Sequence, residues 1–121
     1  IAPDLHAAVV TAVARLAAEV GLAGVIATNT TISRPEELRA ERAEIARIGA
    51  GGLSGPLLAR RSLEILRLLR AELGEEAVVI SCGGVTTAED VRERLAAGAD
   101  LVQEDDLRLD HHAAAEFQEL F

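Results

Sequence analysis

Few side chains in this 121-residue chain could do chemistry, and their spacing sorts them quickly. Cys82 and Ser54 are potential nucleophiles, but no His is spaced to pair with either, which argues against hydrolase chemistry. His111, His112 and Asp110 follow the carboxylates Glu104, Asp105 and Asp106, and together these could collect a divalent cation. Adjacent histidines at a helix start point in different directions, however, and no ligand spacing of a known site appears, so no metal is assigned. All twelve basic residues are Arg, which removes Schiff-base chemistry and the phosphate-binding lysine of P-loops. No catalytic residue is assigned. What remains is a polar run, Thr28-Asn29-Thr30-Thr31, and two glycine-rich stretches, Gly51 to Gly55 and Gly83-Gly84. An Asn amide offers both a donor and an acceptor to a hydrogen-bonding partner. Glycine lets backbone N–H groups reach a phosphate with no Cβ in the way. Each feature also has a plainer reading, as polar groups closing a strand end and as turn punctuation.

The elements that must position these residues alternate along the chain. Asp4 is the expected cap of a helix whose apolar residues Val9, Val13, Leu16 and Val20 recur at helical spacing before Gly21. Gly24 to Asn29 reads as a short buried strand. A charged, thinly apolar helix is expected from Ser33-Arg34-Pro35 to Arg47, then a loop over Gly51 to Pro56. Leu58, Ile65, Leu66, Leu69 and Leu73 share one face of a strong helix that Gly74 should stop. Ala77 to Cys82 is the second strand, and Thr87 with Asp90 forms a capping box for a helix ending at Gly98. Asp100 to Gln103 is the third strand, and Asp110 caps a last helix carrying Phe117 and Phe121.

Continuous apolar strands alternating with helices predict a parallel α/β sheet with both faces covered. A complete (β/α)8 TIM barrel needs about 250 residues, so the expected architecture is half of one, with three parallel strands, or four if Ile1 to Pro3 pair. Functional groups then belong just after the C-terminal strand ends, at Thr28 to Thr31, Ser81 to Gly84 and Gln103 to Asp106. A chain starting at Ile1 with no Met is expected to be a piece of a longer product. The net charge of −8 disfavours nucleic acid and anionic lipid, no stretch reads as a membrane span, and the lone Cys82 fits a reducing, cytoplasmic setting.

Ile1-Ala-Pro-Asp-Leu5, Gly24-Val-Ile-Ala-Thr-Asn-Thr-Thr31, Gly51-Gly-Leu-Ser-Gly55, Cys82-Gly-Gly-Val85 and Ala97-Gly-Ala-Asp-Leu-Val-Gln103 occur in one order. In these segments the chain resembles the C-terminal half of a class 2, membrane-type dihydroorotate dehydrogenase over residues 1–103. The pairing of Ala-Thr-Asn-Thr-Thr with Gly-Gly-Leu-Ser-Gly is the specific part. The resemblance implies a TIM barrel that holds FMN and oxidises dihydroorotate to orotate, with quinone as electron acceptor. By the same resemblance Thr28 contacts FMN, Asn29 and Thr30 hold orotate, and Gly55 and Gly84 approach the FMN phosphate and ribityl chain.

The sequence also departs from that pattern. A basic residue that the family places between Gly and Pro is missing at Gly55-Pro56. The family continues after Gln103 with an apolar residue, then Tyr and Ser or Thr that grip the phosphate, where this chain has Glu104-Asp105-Asp106. Carboxylates repel a phosphate and donate nothing to it, so FMN binding is expected to be weak or absent. The family's flavin lysine falls just before Ile1. Its serine base falls in the N-terminal half, and that half and the family's quinone-binding helical region are not among these residues. Residues 1–103 are thus read as a half-barrel and 104–121 as a divergent acidic loop and terminal helix. A half-barrel has open sheet edges and an uncovered apolar face, so a homo-oligomer is expected. The expected role is that of an inactive piece of a flavoenzyme; the alternative is a recombined or engineered segment that folds and self-associates without catalysis.

Overall fold

The computed structural model describes residues 1–34, 46, 47, 49 and 51–104. The charged helix expected up to Arg47 falls almost wholly outside them. So do the terminal helix and the residues Asp105, Asp106, Asp110, His111 and His112.

Helix α1 spans Ala7–Glu19 and buries Val10, Ala14 and Ala17 against helix α2 (Ala59–Leu73) and the sheet. The expected face was different, for Val9, Leu16 and Val20 are all about half exposed. Two alanines in the contact stripe let the backbones approach closely, which turns the bulkier side chains outward. Asp4 is not the cap either. His6 holds that position, its Nδ1 accepting from Ala8 N at 3.4 Å, while Asp4 is engaged elsewhere.

Strands β1 (Gly24–Ala27), β2 (Val78–Cys82) and β3 (Leu101–Gln103) form a parallel sheet in sequence order. Each ends within two residues of its expected limit. Ile26, Ile80 and Leu101 stand side by side on one face, and Val25 and Val79 on the other. The helix-facing side is buried and packs on Ile65, Leu66 and Leu69 of α2 (Ala59–Leu73). Burying such a side chain contributes about 1.5–3 kcal/mol. The opposite side is open, with Ile26 54%, Leu101 57% and Val78 40% exposed. Among the described residues every helix lies on the other face, which leaves this one uncovered, as expected of part of a barrel. Ile1 does flank β1, donating to the Ile26 carbonyl at 2.7 Å and accepting from Asn29 N at 2.8 Å, but the sheet has three strands, not four.

A short 3-10 turn, Pro56–Leu58, leads into α2, and Gly74 stops the helix with φ +65°. Helix α3 (Ala88–Ala96) carries the expected capping box, with Asp90 N donating to Thr87 Oγ1 and Thr87 N to Asp90 Oδ2. At the N-terminal end of the strands Arg70 donates to the carbonyls of Gly98, Gly74 and Ala77 and pairs with Asp100. Asp100 also accepts from Val79 N at 2.7 Å, so one ion pair ties α2, β2 and the β3 entry together.

Candidate functional site

The motif segments separated in sequence meet at the C-terminal ends of β1 and β2. Thr31 and Leu53 exchange backbone hydrogen bonds of 2.9 and 2.8 Å as an antiparallel bridge, which lays the Thr-rich run beside the glycine-rich loop. The contact is close: a Cβ on Gly52 would stand 2.0 Å from Thr30 Oγ1. Asn29 Oδ1 turns back to accept from Thr30 N at 2.7 Å, so its amide nitrogen is the end presented outward. Asn29 and Thr30 are both exposed.

Thr28 lies deeper, 5% exposed, beside β2. Its N–H donates to the Cys82 carbonyl at 2.9 Å, and Cys82 Sγ donates to the Thr28 carbonyl at 3.0 Å. Its hydroxyl has no hydrogen-bond partner among the described residues, although it is buried. Buried polar groups are normally paired, so an orphan hydroxyl at a strand end marks a place where a ligand can complete the pairing. Gly83 lies against that hydroxyl, a Cβ there falling 3.0 Å from Thr28 Oγ1.

Gly84 packs on the start of α2, and Gly55 precedes the turn that leads into it. Gly55 has φ +98° and its carbonyl accepts from Leu58 N. Gly84 has φ +74° and packs its Cα on the first residue of α2, where a Cβ would be 2.3 Å from Ala59 N. Neither position suits a side chain, which is what a backbone cradle for an anion requires.

The rim is stapled by Asp4. Its carboxylate accepts from the Thr31 and Ser33 hydroxyls and from Ile32 N. The Thr31 hydroxyl, followed by that of Ser33, holds the Asp4 carboxyl below its usual range. Arg61 fixes the same segment from below by donating to the Pro3 and Leu5 carbonyls. Among the described residues no three His, Cys, Asp or Glu side chains gather as a metal site, and no helix is long and apolar enough to cross a membrane.

The dihydroorotate dehydrogenase family profile matches residues 1–106, with all of these groups inside it. The chain belongs to the dihydroorotate dehydrogenase family. It is 62% identical over 104 residues to the dihydroorotate dehydrogenase (quinone) of Kocuria rhizophila, covering 85% of this chain and 29% of that one. The homologue of that name from Clavibacter michiganensis subsp. michiganensis is also 62% identical, over 103 residues and 30% of its length. The Eimeria tenella dihydroorotate dehydrogenase solved with ferulenol superposes with a TM-score of 0.77 at 39% identity. It is covered over 26% of its length, against 85% of this chain. The chain thus spans less than a third of the relatives it matches, and its sheet is a segment of a dihydroorotate dehydrogenase barrel.

Within that segment the sequence located Thr28, Asn29, Thr30, Gly55 and Gly84, and the fold brings them to one end of the sheet. It missed Arg94 of α3, 1% exposed, which donates to Ser81 Oγ at 2.9 Å and to the carbonyls of Ala59 and Gly83 at 2.8 and 3.2 Å. A signal was present, since Ala88, Val91 and Arg94 recur at three-residue steps and set an Arg in an apolar stripe. Ser62 was missed too; its hydroxyl donates to the same Gly83 carbonyl at 2.6 Å.

Proposed function

We propose that this chain supplies the C-terminal share of the FMN and orotate site of a quinone-linked dihydroorotate dehydrogenase, and that alone it turns over no dihydroorotate. The observation carrying this reading is the buried Thr28 hydroxyl, without a partner among the described residues, against Gly83. In the proposed site Thr28 contacts FMN, Gly55 and Gly84 face its phosphate end, and Asn29 and Thr30 bind orotate. FMN, when bound, supplies the two-electron redox chemistry of dihydroorotate oxidation to orotate. The chain's own contribution is orientation: the outward Asn29 amide offers donors to a substrate carbonyl, while Thr31 and Leu53 hold the two loops in register. The segment works on the cytoplasmic side, without itself contacting the membrane.

The acidic run Glu104-Asp105-Asp106 weakens FMN binding by repelling the phosphate. An FMN fluorescence titration tests this, run on the chain and on its Asp105→Tyr, Asp106→Thr version. Weak binding that the double substitution tightens by about tenfold or more supports it. Tight binding by the unaltered chain refutes the claim for the acidic run, and no binding by either refutes the flavin reading.

A second reading rests on the open sheet face, where Ile26 and Leu101 are more than half exposed. In it the chain is a folded segment that self-associates as a homo-oligomer and has no catalytic role. Dihydroorotate-dependent dye reduction by the chain with FMN would exclude that reading.

A further inference from the structure

The segment Ile1 to Leu5 brackets the Thr-rich run at both ends. On one side the Ile1 carbonyl accepts from Asn29 N at 2.8 Å. On the other, the Asp4 carboxylate gathers three donors: the Thr31 hydroxyl, Ile32 N at 3.1 Å and the Ser33 hydroxyl at 2.7 Å. Asp4 stands on a pinned backbone, because Arg61 of α2 donates to the carbonyls of the residues on either side of it, Pro3 at 3.0 Å and Leu5. Thr31 is 4% exposed; its hydroxyl also accepts from Ser33 N at 2.9 Å, and its own N–H goes to Leu53. Between these anchors lie only Asn29 and Thr30, whose turn is closed by Thr30 N donating to Asn29 Oδ1 at 2.7 Å. That bond decides which end of the Asn29 amide faces outward. The oxygen is used, and the nitrogen with its two donors is presented.

We propose that Asp4 is a positioning residue for substrate binding, holding residues 31–33 so that the Asn29-Thr30 turn stays closed and presents the Asn29 amide donors to orotate. This rests on the orotate reading above. Bonds to an ionised acceptor are stronger than neutral ones, and three of them converge on this carboxylate. A loop ordered before its ligand arrives gives up less freedom on binding, so the staple contributes to affinity without touching the ligand. Its three donors come from residues 31–33 and none from the glycines assigned to FMN, so the two ligands should respond differently to its loss.

Orotate and FMN affinities measured on one protein therefore separate positioning from general loosening of the fold. The protein is the chain carrying Asp105→Tyr and Asp106→Thr. Orotate binding is followed in the presence of FMN by the NMR signal of the Asn29 side-chain amide, and FMN binding by flavin fluorescence. Asp4→Ala should weaken orotate by about tenfold while FMN affinity changes less than about threefold. Asp4→Asn keeps an oxygen for the two hydroxyls but sets an amide nitrogen against Ile32 N, and should fall between the parent and Asp4→Ala. Thr31→Val should weaken orotate by about two- to fivefold, and it decides the matter if Asp4→Ala does not fold. Added to Asp4→Ala, it should cost less than about twofold more, because both act through one contact. A parent protein that binds no orotate, with or without FMN, overturns the orotate reading and this proposal with it. Orotate affinity undiminished in the folded variants, or lost in step with that for FMN, overturns this proposal alone.

Discussion

Thr30 and Gly52 touch so closely that a single added Cβ on the glycine would lie 2.0 Å from the threonine Oγ1. The contact sits beside the Thr31 and Leu53 bridge, where two loops distant in sequence become one edge of the site. Gly52→Ala should therefore push the loops apart and cost about 1–3 kcal/mol of stability in urea unfolding. Unchanged stability would show that the two loops are not held at this distance.

Gly84→Ala meets a harder obstacle. Its φ of +74° disfavours any side chain, and the new Cβ would be 2.3 Å from Ala59 N, a backbone atom that cannot swing aside. The expected loss is about 2–5 kcal/mol by chemical denaturation. Gly21→Ala is the control, since φ +71° there comes with open space, and it should lose only about 1–2 kcal/mol.

Asp90 gives a pH-dependent prediction. Burial pushes its carboxyl upward, but donors from Thr86 and Thr87 outweigh that, and the net direction is below the ordinary 3.8. A depressed folded value means stability present above the unfolded value and lost as pH falls through the folded one. Asp90→Ala should cost about 0.5–2 kcal/mol at pH 7. The difference from the parent should shrink once pH drops below 3.8. A pH-independent difference would contradict the charged capping box.

Arg70 serves the opposite end of the sheet. Arg70→Met strands carbonyls of Gly98, Gly74 and Ala77 and should cost about 1–3 kcal/mol. Its ion pair with Asp100 is partly exposed, so a double-mutant cycle should return a coupling of only about 0.5–1 kcal/mol. A coupling equal to the whole Arg70→Met loss would mean that the carbonyl bonds carry nothing.

The open sheet face predicts concentration-dependent association. Light scattering after size exclusion should show the parent chain heavier than a monomer, and Ile26→Glu with Leu101→Glu should return it to monomer mass. A parent that stays monomeric at high concentration removes the self-association reading.

Local information determined much of this protein. Apolar runs closed by glycines placed all three strands and both long helices that frame the described sheet, and Thr87 with Asp90 named its own capping box. Those features depend on neighbours a few residues apart, which a sequence displays directly. The motif order likewise pointed to the family. Tertiary structure decided the rest. Asp4 left its helix for Thr31 and Ser33 because two loop hydroxyls and Ile32 N converge on its carboxylate. Helix α1 turned its alanines inward because a close helix contact rewards small side chains more than large ones. Arg94 acquired its place only when Ser81, Gly83 and Ala59, spread over three elements, closed around it. A buried guanidinium needs several acceptors at once, and only the folded chain brings them to one point.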